Sequence, residues 1–221
     1  IEMRIMAHFS QDAGLIEAFT AGEDLHRFVG ARIFNVEPAD VTSEMRTKVK
    51  AMSYGLAYGL SAFGLARQLR IDNKEAKNLM SDYFERFGGV RDYLRSVVDE
   101  ARVRGYTETL FGRRRPFPDL TSPNHILRAN AERQALNAPM QGTAADIMKL
   151  ALVRIEQQLI AEDLTSRLLM QVHDELVLEV VSDEADHVQQ LVTHHMRTAA
   201  QLAVPLDVQV GRGTSWNDAA H

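Results

Sequence analysis

Residues 167–181 read RLLMQV-HDE-LVLEVV, and this stretch decides the fold. Two runs rich in Leu and Val flank three polar residues, which is the pattern of two antiparallel strands joined by a tight connection. Asp174 and Glu175 then lie where the strands end, with their carboxylates close together and open to solvent. Such oxygens suit Mg²⁺, although acidic residues are also common in turns. Taken alone, the pair is better explained as an ordinary turn than as a metal site.

The composition is that of a globular protein with one large domain or two small ones. Of its 221 residues, 45% are hydrophobic and 25% are charged, and none is Cys. The lack of Cys excludes disulfides, thiolate metal sites and Cys nucleophiles. No apolar run approaches the ~18 residues of a membrane span, so we expect no membrane association.

The net charge of −5 argues against a nucleic-acid ligand, but a polyanion responds to the local field. Arginines are clustered in the middle of the chain, at Arg102, Arg104, Arg113, Arg114, Arg115, Arg128 and Arg133. The net charge therefore does not exclude a nucleic-acid ligand. A run of arginines is more often a solvated surface than a phosphate site.

Alternating residues at 1–6 and at 206–210 predict strands, which with the hairpin would form a four-stranded antiparallel sheet. The chain opens on this pattern without an initiating Met, so we expect it to begin inside a folded element of a longer protein. Helices are expected between these strands, from Ser10 to Gly22 and over residues 24–34, 41–58, 62–69, 72–86, 89–104, 123–136, 140–161 and 183–202. The predicted class is α+β, an antiparallel sheet with flanking helices and an inserted all-helical subdomain.

The predicted helix over residues 41–58 carries Arg46, Lys50, Tyr54 and Tyr58 at successive i+4 steps. These side chains fan over about 120° of one face, with two cations followed by two phenols. The tyrosines would pack on a core, or the face would bind a ligand. No Gly-rich phosphate loop and no nucleophile elbow is present. The face of cations and phenols and the carboxylates of the hairpin favour a metal-dependent phosphoryl transferase. In such enzymes, positioning and charge neutralisation supply most of the catalysis.

Three long motifs resemble family A DNA polymerases, the DNA polymerase I type. The segment Arg46-x₃-Lys50-x₃-Tyr54-Gly-x₂-Tyr58-Gly is similar to their fingers helix. The segment Arg133-x₃-Asn137-Ala-Pro-Met-Gln141-Gly-Thr-Ala-Ala-Asp is similar to their DNA-binding palm helix, and Val-His173-Asp174-Glu175 to their catalytic hairpin. Residues 1–4 and 24–26 match flanking palm segments. The resemblance covers the whole chain in order, and it implies palm at residues 1–30, helical fingers at 31–135 and palm at 136–221.

The resemblance also implies a role for each motif residue. Asp174 is the expected Mg²⁺ ligand and a catalytic residue, and Glu175 is a supporting catalytic carboxylate. Lys50 is expected to help bind the triphosphate and to protonate the leaving pyrophosphate. The nucleotide-binding residues are expected to be Glu2, His26, Arg46, Lys50 and Tyr54, with Glu2 selecting deoxynucleotides by crowding the 2′ position. The DNA-binding residues are expected to be Tyr58, Arg133, Asn137, Gln141 and His173.

Tyr54 is a departure from many relatives, which carry Phe there. Its hydroxyl implies efficient use of dideoxynucleotides, because it could replace the hydrogen bond that a missing 3′-OH removes.

A second departure is an absent segment of the form Asp-Tyr-Ser-Gln, which carries the family's other catalytic aspartate and would lie just before Ile1. The implied partners are primer-template DNA, dNTP and the missing thumb and upstream domains of the same polypeptide. Two Mg²⁺ ions are expected in the complete enzyme, and the 221 residues alone are expected to be inactive. The implied location is the bacterial cytoplasm, in association with the nucleoid.

Two alternatives to a DNA polymerase stay open at this point. One is a non-catalytic fragment that only binds primer-template or nucleotide. The other is a related single-subunit RNA polymerase, against which Glu2 argues.

Overall fold

The structure of the chain is a computed structural model, which describes residues 1–22 and 24–219. Its helices are α1 (Glu2–Ser10), α2 (Ala13–Thr20), α3 (Leu25–Phe34), α4 (Ser43–Ala57), α5 (Ala62–Leu69), α6 (Asn73–Arg86), α7 (Gly88–Arg104), α8 (His125–Ala161), α9 (Ala185–Arg197) and α10 (Trp216–Ala219). The strands form two antiparallel pairs, β1 (Tyr106–Glu108) with β2 (Arg114–Pro116) and β3 (Arg167–Val172) with β4 (Glu175–Glu179). Single 3-10 turns cover Pro38–Asp40, Pro118–Thr121 and Ser182–Glu184. This mixture confirms the α+β class.

The chain divides into two compact units. One comprises residues 2–143, and the other comprises residue 1 together with residues 144–221. The predicted palm and fingers boundaries at residues 30 and 135 stay predictions. Within the part of the chain that the structure describes, no helix has both the length and the apolar character needed to cross a membrane.

The predicted opening strand is wrong, because these residues form α1. The side chains buried there are Met3, Ile5, Met6 and Ala7. Their spacing includes i, i+3 and i+4, which is the stripe of a helix, and short apolar runs fit both periods. Helix α1 lies against α7.

The predicted closing strand at residues 206–210 is also wrong, because those residues have no regular structure. A strand needs a neighbour to bond its N–H and C=O groups. Among the described residues, the hairpin of β3 and β4 pairs only with itself, so the expected four-stranded sheet is not formed.

The predicted break before Pro139 is absent, because α8 runs through this residue. An interior proline has no N–H to donate and costs about 3 kcal/mol or more. Burial compensates here. A core cluster surrounds this part of the helix and contains Ala131, Ala135, Ala138, Ala101, Phe117 and Leu120.

The predicted helices α5, α6 and α7 are confirmed, with α7 beginning one residue earlier than expected. Asp72 caps α6 by accepting a hydrogen bond from the Glu75 N–H at 2.7 Å. Gly105 ends α7 with a φ of 79°, a left-handed conformation that glycine adopts without strain. Helix α9 is shorter than expected at both ends.

Asp12 joins α2 to α7 through one buried carboxylate that is 6% exposed. Its Oδ1 accepts hydrogen bonds from the N–H groups of Gly14 at 3.0 Å and Leu15 at 3.2 Å. Its Oδ2 accepts from the Gly89 N–H at 3.0 Å. Asp12 therefore caps α2, which begins three residues after the predicted start at Ser10, and it also bonds to the first turn of α7.

Asp12→Ala is expected to lower the free energy of unfolding by about 2–4 kcal/mol, because it removes a helix cap and charged hydrogen bonds in a buried place. Asp72→Ala is the matched control, with one exposed cap worth about 1 kcal/mol. Urea unfolding of the two variants and the wild type measures both losses. A loss for Asp12→Ala no larger than that for Asp72→Ala would contradict the shared role.

The unit of residues 144–221 places the hairpin on α8 and α9. Leu168, Leu176 and Leu178 of the hairpin pack against a buried cluster that contains Ile155, Leu159, Val188, Leu191 and Val192. At the base of the hairpin, the Glu184 carboxylate accepts hydrogen bonds from the backbone N–H groups of Thr165 and Ser166, both at 2.9 Å. The Ser166 hydroxyl accepts from the Val181 N–H at 3.0 Å. These bonds hold the residues just before β3 next to those just after β4.

Candidate nucleotide-binding and nucleic-acid-binding site

Helix α4 presents the predicted face to solvent. Its buried side is formed by Val49, Met52, Ser53, Leu56 and Ala57. Arg46 and Lys50 are exposed, and Tyr54 and Tyr58 are 36% and 37% exposed. The tyrosines therefore do not pack in the core, and this face is available to a ligand.

Gly55 allows the chain to turn back closely after α4. A Cβ at this position would lie 2.7 Å from Cδ2 of Leu60. The Leu60 side chain therefore occupies the space that a residue other than glycine would need here.

The Tyr58 hydroxyl brings together three distant parts of the sequence. It donates to the Glu2 carboxylate, with its oxygen 2.6 Å from Oε2 and 2.7 Å from Oε1. The Gln141 side chain also hydrogen-bonds to it. Burial raises the pKa of Tyr58, the Glu2 bond adds to the rise and the Gln141 bond opposes it. Three predicted site residues from α1, the end of α4 and α8 thus meet at one hydroxyl.

His26 lies beside the same face of α4. Its ring centroid is 5.9 Å from that of Tyr54, and its Nε2 is buried without a hydrogen-bond partner among the described residues. Burial lowers the pKa of His26; the charge of Asp24 opposes this, and the charges of Arg46 and Lys50 lower it further. The imidazole is therefore neutral at pH 7, with an unsatisfied ring nitrogen.

The lowered pKa of His26 predicts a loss of stability in acid. The unfolded chain, with a His pKa near 6.5, takes up the proton first as the pH falls. The contribution of His26 to the free energy of unfolding is thus complete above pH 6.5 and decreases as the pH falls through the folded-state pKa. Urea unfolding at several pH values should show a shallower acid loss for His26→Gln than for the wild type.

His195→Gln tests the same effect independently and should also show a shallower acid loss, since burial lowers the pKa of His195 in the other unit. An NMR titration of His26 with a midpoint above 6.5 would contradict the prediction.

Asp24 is a site residue to which the sequence assigned no role. Its Oδ1 accepts from the Arg27 N–H at 3.0 Å and caps α3. Its Oδ2 accepts from Nε of Arg46 at 3.1 Å and from Nη2 at 2.8 Å. Burial raises the pKa of Asp24, but the Arg46 and Arg27 hydrogen bonds outweigh it, so the pKa lies below its usual value. Its place at the start of a predicted helix and in a matched palm segment gave no indication of a contact with Arg46.

An open cavity of about 510 Å³ lies beside the end of α4. It is lined by Tyr58, Gly59, Leu60, Ser61, Phe63, Gly64, Arg67, Gln68 and Arg133. Phe63 is 64% exposed, so two aromatic rings and two guanidinium groups border the cavity. Sequence reasoning missed Phe63 and Arg67, although their spacing of four residues on a predicted helix was a usable signal.

Asn137 on α8 has a buried Oδ1 without a hydrogen-bond partner within the described residues.

Most of the clustered arginines are held by partners in their own unit. Arg102 pairs with Asp99 and Glu132, Arg104 with Glu100 and Arg114 with Glu108, while Arg115 donates to Gln134, Arg128 to the Ser122 carbonyl and Arg133 to Asn130. Arg113 donates to the Gly142 carbonyl of α8 at 3.0 Å. Arg102, Arg104 and Arg114 thus pair with carboxylates, whereas Arg113 and Arg115 tie the hairpin of β1 and β2 to α8.

The second candidate region is the tip of the hairpin of β3 and β4. Val172 pairs with Glu175, so the connection is the two residues His173 and Asp174, one residue shorter than expected. His173 has a φ of 53°, which is uncommon for a residue other than glycine. Gln171 donates from its side chain to the His173 carbonyl at 2.9 Å. Asp174 and Glu175 are exposed, as predicted.

The predicted residues are thus distributed over both units. Residues 2–143 contain Glu2, His26, Arg46, Lys50, Tyr54, Tyr58, Arg133, Asn137 and Gln141, and residues 144–221 contain His173, Asp174 and Glu175. Within the described ranges, no three His, Cys, Asp or Glu side chains are grouped so that they could hold a metal ion. The individual roles stay predictions.

Comparison with known proteins agrees with this arrangement of motifs. The family model described as DNA polymerase family A matches residues 1–218. DNA polymerase I of Mycobacterium leprae is 58% identical over 221 residues, which are 100% of this chain and 24% of that protein. DNA polymerase I of Lactococcus lactis is 46% identical over 220 residues, which are 99% of this chain and 25% of that protein.

A solved structure of the POL domain of Pol1 from M. smegmatis, in complex with DNA primer-template and dNTP, is similar in fold as well as in sequence. The TM-score is 0.97 at 61% identity, over 100% of this chain and 39% of that chain. The chain spans about a quarter of the length of the two DNA polymerase I relatives. The resemblance of the motifs is confirmed over nearly the whole sequence, and the chain belongs to DNA polymerase family A.

Proposed function

We propose that the polypeptide carrying this chain copies a DNA template, transferring a deoxynucleotidyl group from dNTP to a primer 3′-hydroxyl. The observation that carries the proposal is the exposed face of α4, where two cations, two phenols and an unsatisfied imidazole lie together. Family membership supports the same reaction. The proposed location is the bacterial cytoplasm at the nucleoid, as expected for a relative of bacterial DNA polymerase I.

The cationic half of the face is proposed to bind the triphosphate. Arg46 offers a guanidinium fork and Lys50 an ammonium group, and both suit phosphate oxygens. His26 is neutral, so its ring N–H would contribute a hydrogen bond in place of a full charge. As pyrophosphate leaves, negative charge collects on its oxygens, and fixed cations stabilise that charge. Lys50 is proposed to give the departing oxygen its proton.

The phenolic half is proposed to hold the sugar and the base. Tyr54 would lie against the nucleotide, and Glu2 would crowd the 2′ position of a ribonucleotide. The Gln141 amide both donates and accepts, which suits the minor-groove acceptors that correctly paired bases share. The Tyr58 hydroxyl is bonded to Glu2 and Gln141. A base that stacks on the Tyr58 ring would therefore lie next to these two residues.

The cavity beside Tyr58 is proposed to receive the template strand. Exposed aromatic rings stack on bases of any sequence, and cations follow the phosphate backbone. Phe63 supplies a second ring, and Arg67 and Arg133 supply the charge. Asn137, whose buried Oδ1 has no hydrogen-bond partner among the described residues, and His173 are proposed as further DNA contacts.

The hairpin tip fits a divalent cation such as Mg²⁺. Asp174 and Glu175 supply exposed adjacent carboxylates. Mg²⁺ usually binds one or two carboxylates and completes its coordination with water and phosphate oxygens. When bound, Mg²⁺ would neutralise charge on the reacting oxygens. The protein's own part is to hold these carboxylates in place, and the hydrogen bond from Gln171 to the His173 carbonyl stabilises the turn that carries Asp174.

Phe63→Ala is expected to weaken binding of a primer-template with a single-stranded 5′ overhang by about 5- to 150-fold, since base stacking on an aromatic ring contributes about 1–3 kcal/mol. Fluorescence anisotropy at fixed salt measures the dissociation constant. Phe111→Ala is the matched control, because Phe111 is also exposed, at 44%, and does not line the cavity. Equal losses for the two variants would exclude a specific template site at Phe63.

The decisive experiment is primer extension by the full polypeptide that carries this chain, with dNTP and NTP in parallel. Extension with dNTP and little extension with NTP is the expected result, and Glu2→Ala should increase the use of NTP. Preferential use of NTP by the wild type would support the RNA polymerase alternative. Tight binding of primer-template without any extension would support a binding module.

A further inference from the structure

The Asp24 carboxylate uses its two oxygens for two different tasks. Oδ1 accepts from the Arg27 N–H and caps α3, a purely local bond. Oδ2 accepts two N–H groups of Arg46, from a helix that begins much later in the chain. The cation proposed to bind the triphosphate therefore already holds an anion.

The position of this carboxylate ties it to the proposed nucleotide site. Asp24 precedes His26 by two residues, and its charge acts on the His26 pKa in opposition to Arg46 and Lys50. A triphosphate bound at His26, Arg46 and Lys50 would thus meet the negative charge of Asp24. It would also need the Arg46 N–H groups that Asp24 occupies.

The strength of the pair suits reversible exchange. Arg46 and Asp24 side chains are 45% and 39% exposed, and such ion pairs are weak. A ligand that carries several negative charges would displace the carboxylate from the guanidinium. The Oδ1 cap would keep Asp24 in the same place, so the ion pair with Arg46 could form again after the ligand leaves.

We propose that Asp24 is a positioning residue that holds the Arg46 side chain over the nucleotide site until an incoming triphosphate replaces its carboxylate. This inference rests on the proposed function. The gain is that a long, flexible side chain stays at the site between turnovers. The cost is a lower affinity for nucleotide, since each binding event breaks the pair.

Asp24→Asn separates the two tasks of the residue. Asn is as good a helix cap as Asp, so α3 keeps its first turn, whereas the charge that holds Arg46 is lost. In the full polypeptide with primer-template and Mg²⁺, the Kd for dNTP is expected to fall by about 2- to 5-fold, the range that exposed ion pairs support. Asp72→Asn is the matched control, because Asp72 caps α6 in the same way and should leave the Kd unchanged.

The same substitution in an Arg46→Ala background tests whether Asp24 acts through Arg46. If it does, Asp24→Asn tightens dNTP binding less in that background than in the wild type. If Asp24 instead only repels the triphosphate, Asp24→Asn should tighten dNTP binding more in the Arg46→Ala background than in the wild type, because Arg46 no longer screens the carboxylate there. That result would overturn the proposal. An unchanged Kd in the wild-type background would overturn it as well.

Two further measurements keep this inference distinct from the proposed function. The His26 pKa, measured by NMR without nucleotide, should fall in Asp24→Asn, and an unchanged value would place Asp24 outside the site. Lys50→Ala should weaken dNTP binding whatever Asp24 does. If the wild type binds no dNTP, or Lys50→Ala has no effect, the proposed function fails and Asp24 loses its role with it.

Discussion

Asp174→Asn is expected to reduce primer extension by about 10³-fold or more in the polypeptide that carries this chain. Stabilisation of charge by a divalent cation contributes several kcal/mol, and each 1.4 kcal/mol corresponds to tenfold in rate. An amide of the same shape removes the negative charge that is proposed to bind the cation. Asp174 is exposed in the turn between β3 and β4, so the hairpin should keep its fold. Single-turnover extension at saturating dNTP measures the loss.

Asp183→Asn is the control for Asp174→Asn, because it removes an exposed carboxylate from the same unit in a 3-10 turn away from the hairpin tip. Its extension rate should stay near that of the wild type. Circular dichroism and primer-template affinity should be unchanged in both variants. Extension by Asp174→Asn within tenfold of the wild type would remove Asp174 from the catalytic residues.

Lys50→Ala is expected to lower kcat/KM for dNTP by about 10²- to 10³-fold, the loss typical of removing one group that stabilises developing charge. Lys50 is exposed on α4, so its removal should leave the free energy of unfolding nearly unchanged. Lys50→Arg separates its two proposed roles. The guanidinium keeps the charge but does not give up a proton near neutral pH, so dNTP binding should survive while kcat falls.

Lys48→Ala provides the matched control on the same helix. Lys48 pairs with Glu44 at 3.2 Å and with Glu75 at 3.3 Å, on a different side of α4. Lys48→Ala should leave kcat/KM almost unchanged and lower the free energy of unfolding only slightly. Equal kinetic effects of the two substitutions would show that general charge, and not the position of Lys50, accounts for the result.

Local signals predicted the elements that their own residues determine. Helices α5, α6 and α7 carry polar caps or a terminal glycine at their ends and an apolar stripe between them, so no distant contact is needed to define them. The hairpin of β3 and β4 was equally clear, since apolar runs flank a polar turn. Helical spacing placed Arg46, Lys50, Tyr54 and Tyr58 on one face of α4, but only the structure showed that this face is exposed.

The wrong predictions arose where a local pattern fitted two structures. Residues 1–6 alternate like a strand but also carry the i, i+3, i+4 spacing of α1, and their burial against the rest of the chain decides for the helix. Residues 206–210 alternate without a neighbouring strand to pair with. Proline ends many helices, but α8 continues through Pro139, where the buried residues Ala131, Ala135 and Ala138 of the preceding turns pack in a core cluster.

The sequence by itself determined the family, the order of the motifs and the residues to which the motifs assign chemistry, because these depend on residue type and spacing. Only the tertiary structure decided which side chains touch. Glu2 and Tyr58 are 56 positions apart, Asp12 and Gly89 are 77 apart, and Asp24 meets Arg46 across 22. No local periodicity encodes such hydrogen bonds, since they form only when packing brings separate helices together. The role proposed for Asp24 follows from one of these contacts.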